Sequence, residues 1–212
     1  MLEYQKIPTL YKFDTKKKRY TQEYSEPVFE YLETLTWLCS EKIDGTNIRV
    51  YWDGHKVSWS GRTDKSELPK EVEALLQETF ADAEVIFEQT VGEKEAFLFM
   101  ECYGGKIQGG NYGGKERLIG FDVMINGTYL ERTAIQPIFD LFNIPVVKMY
   151  RASLIEAIQD VEMMRQYKMV SDYCEKGTTE IEGLVCVPEQ RLYDAKGHRI
   201  IVKIKVEMFK KM

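Results

Sequence analysis

Residues 41–50, "EKIDGTNIRV", place a lysine two positions before an Asp-Gly pair and follow it with a polar pair and an apolar run. Asp-Gly is turn chemistry, because aspartate tolerates tight turns and glycine has no Cβ. The residues upstream, "LTWLCSEKI" (35–43), read as a buried strand that delivers Lys42 to its end. A lysine there must reach solvent, pair with a carboxylate, or react. A plain surface turn and a nucleophile both fit this stretch, and the rest of the chain decides between them.

Working outward, "NIRVYW" and "KVSWS" flank Asp53-Gly54, which predicts a tight hairpin. "AFLFMEC" (96–102) and "RLIGFDVMI" (117–125) read as strands, and Asn126-Gly127 turns the second of them into "TYLE". "IEGLVCV" and "RIIVKIKV" form a late strand pair joined by an irregular stretch. Helical periodicity marks 69–80, 132–142 and 152–167, with Pro137 inside the middle one shortening it. Strands cluster early, in the middle and at the end, with helices between them. That order predicts an α+β domain of antiparallel or mixed sheets packed with helices. There is no regular βαβ alternation, no GxGxxG and no Walker lysine loop.

Composition narrows the chemistry. The 212 residues can bury a sizeable core, and 44% hydrophobic with 30% charged residues is ordinary for a soluble globular protein. No apolar run approaches the roughly 18 residues a membrane span needs, and the N-terminus has no signal core. A cytoplasmic protein is expected, in the host cytoplasm if the source is viral. Cys39, Cys102, Cys174 and Cys186 have no CxxC spacing, and His55 and His198 form no ligand-like spacing with them. Buried, reduced thiols are expected rather than a structural zinc site. The net charge of −5 argues against a general nucleic-acid coat protein. It leaves room for a small basic face, to which "KKKR" (16–19) and "KIKVEMFKK" (203–211) could contribute, although charge runs are mostly solvated surface.

Nucleophilic lysine chemistry needs the neutral amine, which is scarce at neutral pH for a group with a reference pKa of about 10.4. Desolvation or neighbouring cations must favour it. Lys203 and Lys205 alternate along a strand, so both side chains leave one face. They would supply cationic neighbours or hold a phosphate, unless they merely decorate an edge strand.

Order and spacing carry the argument further. Lys42, Asp44 and Gly45 lead into Thr46-Asn47; Arg62 follows in "SGRTDK", then Glu101 in "FLFMEC", Phe121-Asp122 in "GFDV", Glu182-Gly183 in "EGLV", and Lys203 and Lys205 in "KIK". This series resembles the covalent nucleotidyltransferases, which are the ATP-dependent ligases and messenger-RNA capping enzymes. Within them it is most similar to the RNA-ligase-2-like group of phage-type RNA ligases. Asn47 discriminates, because DNA ligases and capping enzymes usually carry arginine there. The stretch "YGGKIQGGNYGG" is also similar to such ligases, and the likeness runs from about residue 35 to residue 206.

The resemblance implies an α+β nucleotidyltransferase (ATP-grasp-like) domain and a set of roles. Lys42 would attack the α-phosphorus of ATP, carry AMP as a lysyl-adenylate and release pyrophosphate. Lys203 and Lys205 would contact the α-phosphate. Glu182 would bind the divalent cation, Mg²⁺ or Mn²⁺, with Asp44 either a second metal ligand or a simple turn residue. Glu101 would hydrogen-bond the ribose, and Arg62 would contact the nucleotide sugar or an RNA end. Phe121 would stack on adenine. Glu41 would meet the adenine amino group, through its side chain or backbone, and Asn47 belongs to the same nucleotide-binding set. Gly45 would let backbone approach the nucleotide. Tyr112, Lys106 and Gln108, in the glycine-rich stretch, either grip RNA or form a plain loop.

The implied partners are RNA ends, in a nicked duplex or a broken RNA, sealed from a 3′-hydroxyl to a 5′-phosphate through an adenylylated end. The chain is expected to be one adenylyltransferase domain over 1–212, with no OB-fold or C-terminal module after Lys205, and a monomer by default. A partner protein would then supply RNA grip. A small DNA ligase, a capping guanylyltransferase and a non-catalytic nucleotide or RNA-end binder of the same fold are the alternatives.

Overall fold

The computed structural model describes residues 1–209. Its strands are β1 (Tyr11–Asp14), β2 (Arg19–Tyr24), β3 (Trp37–Glu41), β4 (Thr46–Trp52), β5 (Val57–Ser60), β6 (Ala96–Gly104), β7 (Glu116–Ile125), β8 (Thr128–Tyr129), β9 (Met149–Ala152), β10 (Gly183–Pro188) and β11 (Val202–Lys205). Its helices are α1 (Pro27–Tyr31), α2 (Lys70–Thr79), α3 (Ala83–Val91), α4 (Arg132–Asp140) and α5 (Leu154–Gln166). The α+β class is as expected, and every strand ladder is antiparallel. Contacts gather into two units interleaved in sequence, one of residues 1–4 and 44–147, the other of residues 5–43 and from 148 onward.

The first unit is built on the sheet β5-β4-β6-β7-β8. Its turns form where the sequence predicts them. Asp53 Oδ1 accepts the backbone N–H groups of His55 and Lys56, closing the β4–β5 hairpin. Asn126 and Gly127 both adopt positive φ, as the tight hairpin between β7 and β8 requires. Alternation along β4 then divides the side chains. Ile48, Val50 and Trp52 join Leu98, Met100, Leu76, Phe87 and Phe139 in a core under α2, α3 and α4. Trp52 stacks on Phe87 with ring centroids 5.7 Å apart. Gly120 admits the Phe139 ring, which a Cβ would meet at 2.4 Å. The opposite face carries an aromatic layer of Phe97, Phe99, Tyr51, Phe121 and Tyr129, against which Tyr4 packs.

The second unit is built on the sheet β11-β10-β3-β9. Helix α5 starts in a capping box, in which Ser153 and Glu156 satisfy each other's backbone N–H groups. Leu154, Ala157 and Val161 then repeat at helical spacing and bury one face against Trp37, Cys39, Leu184, Cys186, Val202 and Ile204. The β1–β2 hairpin and α1 complete the unit. Helix α4 continues through Pro137 and ends at Asp140, two residues before the expected limit. All four cysteines are buried and free.

Candidate active site

In the second unit, β3 and β10 pair so that Leu184 opposes Glu41, and the ladder continues one step as the Lys42 N–H donates to the Gly183 carbonyl. That register brings the two ends of a 140-residue separation side by side: Lys42 Nζ donates to Glu182 Oε2 at 2.5 Å. The pairing of β10 with β11 puts Lys205 opposite Gly183, so its amine reaches Glu182 Oε1 at 3.2 Å and Glu207 Oε1 at 2.7 Å. The three side chains are roughly three-quarters shielded, with Lys42, Glu182 and Lys205 24%, 25% and 22% exposed. Burial alone would lower the Lys205 pKa, but the Glu207 and Glu182 carboxylates outweigh it and hold that amine above its ordinary value.

Gly183 permits this register. Its φ of 148° and the Ile204 carbonyl, 2.1 Å from where a Cβ would stand, leave no room for a side chain. Lys203 leaves the same face of β11 as Lys205, while Ile204 between them is fully buried. The outer edge of β11 is not open at Lys203: its N–H donates to the Pro8 carbonyl and its carbonyl accepts from the Leu10 N–H. Both lysines are partly buried, so they do not simply decorate a solvent-facing edge.

Glu41 takes a different direction from Lys42. It shares its face of β3 with Cys39 and Trp37, and its carboxyl meets Ser171. Burial raises its pKa, with the Ser171 hydrogen bond opposing and the Asp172 charge adding to the rise. Its Oε1 is buried without a hydrogen-bond partner.

The remaining residues of the series lie in the first unit. Asn47 on β4 stands directly opposite Glu101 on β6, on the face away from the helices. Asn47 Oδ1 is likewise buried without a partner. Phe121 lies in the aromatic layer, edge-on to Tyr4 at 5.1 Å, and Tyr4 OH donates to the neighbouring Asp122 at 2.5 Å. Arg62 follows β5 and is exposed. Gly45 is packed against β6: a Cβ would stand 2.4 Å from the Cys102 carbonyl oxygen and 2.8 Å from Glu101 Cγ. The small residue at this position is thus required by the protein's own backbone.

The glycine-rich stretch holds the turn that follows Lys42. Tyr112 OH accepts the Asp44 N–H at 3.1 Å, and Gln108 Nε2 donates to the Gly45 carbonyl at 3.0 Å. Tyr112 is 1% exposed and packs edge-on against Tyr103, so of the two readings open for it the burial favours the loop over an RNA grip. Lys106 stays exposed. Glu207, Ser171 and Tyr4 are the contacts sequence reading missed. Ser171 and Tyr4 come from segments with no motif and reach Glu41 and Asp122 through long-range packing, whereas Glu207 stands only two residues beyond Lys205.

One carboxylate beside two amines also bears on metal binding. Magnesium uses one or two carboxylates together with substrate phosphates and water, so Glu182 alone is a sufficient protein anchor. Among the described residues no group of three or more His, Cys, Asp or Glu side chains is placed to hold a metal ion by itself. The donor set therefore suits a cation that arrives with a phosphate.

A family model described as RNA ligase matches residues 35–205. A search of curated protein sequences finds no match. Among solved structures, the chain is similar to the Naegleria gruberi RNA ligase with pyrophosphate, at a TM-score of 0.63 and 17% identity over 94% of this chain and 59% of that one. It is also similar to a substituted form of that ligase with ATP and Mn, at a TM-score of 0.61 and 16% identity over the same shares of the two chains. At such identity the likeness shows the fold. This chain spans about three-fifths of the length of that ligase. Among the described residues no helix is long and apolar enough to cross a membrane.

Proposed function

The chain belongs to the RNA ligase family, and from that premise we propose that it is an ATP-dependent RNA ligase that works through a lysyl-adenylate on Lys42. The observation that carries this reading is the contact of Lys42 with Glu182, itself bonded to Lys205. A nucleophile, a proton acceptor and a cation for the phosphate thus stand within one cluster. The solved Naegleria ligase with ATP and Mn supports the choice of nucleotide and divalent metal.

In the first step Lys42 Nζ gives up a proton and attacks the α-phosphorus. The N–P bond forms, the P–O bond to pyrophosphate breaks, and AMP stays on the protein. Glu182 Oε2 is within hydrogen-bond reach of the departing proton. Lys205, kept positive by its carboxylates, and Lys203 beside it would neutralise charge building on the α-phosphate. Glu182 would also supply an oxygen to Mg²⁺ or Mn²⁺, with Asp44 the other candidate ligand. The metal's contribution is to neutralise phosphate charge.

Each orphaned acceptor, taken within its own unit, suits a nucleoside donor. Glu41 Oε1 and Asn47 Oδ1 each need a donor, and an adenine amino group or ribose hydroxyl provides one. Glu101 beside Asn47 would contact the ribose, Phe121 would stack on adenine, and Arg62 would contact the sugar or an RNA end. Two later steps follow, transfer of AMP to a 5′-phosphate and attack by a 3′-hydroxyl. RNA ends, nicked or broken, are the substrates in this reading, which also takes a single adenylyltransferase domain, a monomer, a cytoplasmic setting and a partner protein that adds RNA grip.

The test is covalent labelling. The chain is mixed with Mg²⁺ and ATP carrying label at the α-phosphate, then denatured. Label retained from the α position, absent with γ-labelled ATP and absent in Lys42→Ala, is the expected result. Absence of label on protein shown by mass to carry no prior adenylate would sink the enzyme reading in favour of a nucleotide or RNA-end binder.

A further inference from the structure

Lys203 also lines a groove of about 640 Å³ that lies wholly within the second unit. The segment from Gln5 to Thr9 forms one wall, and the chain around Asp194–Arg199 forms another. Gln5 ties the two together by donating its side-chain amide to the Arg199 carbonyl at 2.7 Å. Lys6, Arg199 and Lys203 bring positive charge to the lining. Its two carboxylates are Glu26 and Asp194, and Asp194 is committed to its own turn. Asp194 accepts the Lys196 and His198 N–H groups and lies 3.1 Å from the His198 ring nitrogen.

The β1–β2 hairpin faces this groove with Phe13 and Tyr20. Phe13 is 48% exposed, and its ring meets Tyr20 edge-on at 5.0 Å. A half-exposed phenylalanine is costly to hydrate, and here it borders an open groove whose lining mixes apolar and charged side chains. At the hairpin tip, Asp14 Oδ1 accepts the N–H groups of Lys16 and Lys17 and folds the chain back. Lys16, Lys17, Lys18 and Arg19 are all exposed there. Residues 11–24 carry five cations and two carboxylates in a chain of net charge −5.

We propose that this groove and the hairpin tip form a docking track for a single strand of RNA. The phosphates would run past Lys6 and Lys203 to the Lys16–Arg19 tip, and an unpaired base would stack on Phe13. Spread cations beside an exposed aromatic ring are the two elements single-strand recognition needs. A duplex offers no free base face to Phe13, and inorganic polyphosphate gives that ring nothing to stack on. The inference rests on the RNA ligase reading for its substrate class, while its residues lie outside the Lys42–Glu182–Lys205 cluster apart from neighbouring Lys203.

The test uses the full chain and a fluorescein-labelled, unstructured oligoribonucleotide of about a dozen nucleotides. Its 5′-hydroxyl and blocked 3′ end prevent sealing. Anisotropy is measured across a salt series for the parent, for Phe13→Ala, and for a triple Lys16→Ser, Lys17→Ser, Lys18→Ser variant. The triple variant should lower the salt slope by about 2, since each lost single-strand phosphate contact removes about 0.7, and raise Kd about tenfold. Phe13→Ala should raise Kd about fivefold with the slope unchanged. Melting temperature and self-adenylation rate should stay at parental values in both.

Unchanged affinity and slope in both variants would overturn the track. So would a triple variant that weakens binding while Phe13→Ala does not, because a bare polyanion patch then accounts for the groove. An effect confined to the KM for ATP would overturn it as well. If the parent fails to self-adenylate yet both RNA effects appear, the docking track stands and the ligase mechanism falls.

Discussion

Glu182 bridges two lysines from different strands, taking Lys42 on Oε2 at 2.5 Å and Lys205 on Oε1 at 3.2 Å. One carboxylate thus contacts both the candidate nucleophile and a candidate phosphate-binding cation. All three groups are largely shielded, so the cost of desolvating them offsets much of what their pairing gives to stability. The arrangement is better explained by chemistry than by folding.

Glu182→Gln removes the charge from both contacts at once. The amide keeps the shape of the side chain but cannot take a proton from Lys42. Self-adenylation should fall by about 10²–10⁴-fold, the usual range for losing a positioned acid–base group. The urea midpoint should barely move. Initial rates of α-label incorporation, read beside a urea melt, distinguish this from a variant that fails to fold.

Gly45→Ala should be damaging for a structural reason. The added methyl group would meet the Cys102 carbonyl oxygen at 2.4 Å, and that oxygen belongs to the central strand β6. Backbone cannot yield as a flexible side chain can, so a loss of about 1–3 kcal/mol is expected. Denaturant unfolding measures it, and an unchanged midpoint would contradict the packing described.

Tyr112→Phe removes the acceptor of the Asp44 N–H bond while leaving the buried ring in place. Stability should drop by about 1 kcal/mol, the net value of a typical internal hydrogen bond. RNA affinity should be unaffected, because the covered ring offers no stacking face. A large loss of RNA binding at unchanged stability would restore the RNA-gripping role that its burial argues against.

Glu41 sets a pH dependence whose sign can be worked out. Burial holds its pKa above the ordinary value of 4.5, so the folded chain binds this proton more tightly than the unfolded chain does. Its contribution is full below the unfolded value, where both states are protonated, and is lost as pH rises through the folded value. Glu41→Gln should therefore melt at a higher temperature than the parent at pH 7. The difference should close as pH falls toward 4.5, which a series of melts across pH 4–8 would show.

Legibility was uneven for reasons visible residue by residue. Asp53-Gly54 and Asn126-Gly127 announced their hairpins because turn chemistry is local. Helices α2, α4 and α5 showed helical periodicity because each buries one stripe. Strands β1 and β2 were missed, since "YKFD" and "RYTQEY" are mostly exposed and lack a clean apolar alternation. Helix α1, only 5 residues long, was missed too, and so was α3, although at 9 residues it is as long as α4. Arg49, in the opening stretch, is fully buried, donating to the Met1, Leu2 and Gly61 carbonyls and to Asp64. Of the basic run at 203–211, Lys210 and Lys211 lie outside the described residues.

The sequence by itself determined the class, the turns and the order of the chemistry-bearing residues, because periodicity, turn propensity and motif order are properties of neighbours along the chain. Only the tertiary structure decided which of those residues meet. That Glu182 takes both lysines, that Glu41 turns to Ser171, and that Gly45 is needed by Cys102 all depend on strand register. Register is set by pairing across more than 140 residues and by which faces the cores bury, and no local pattern carries that information.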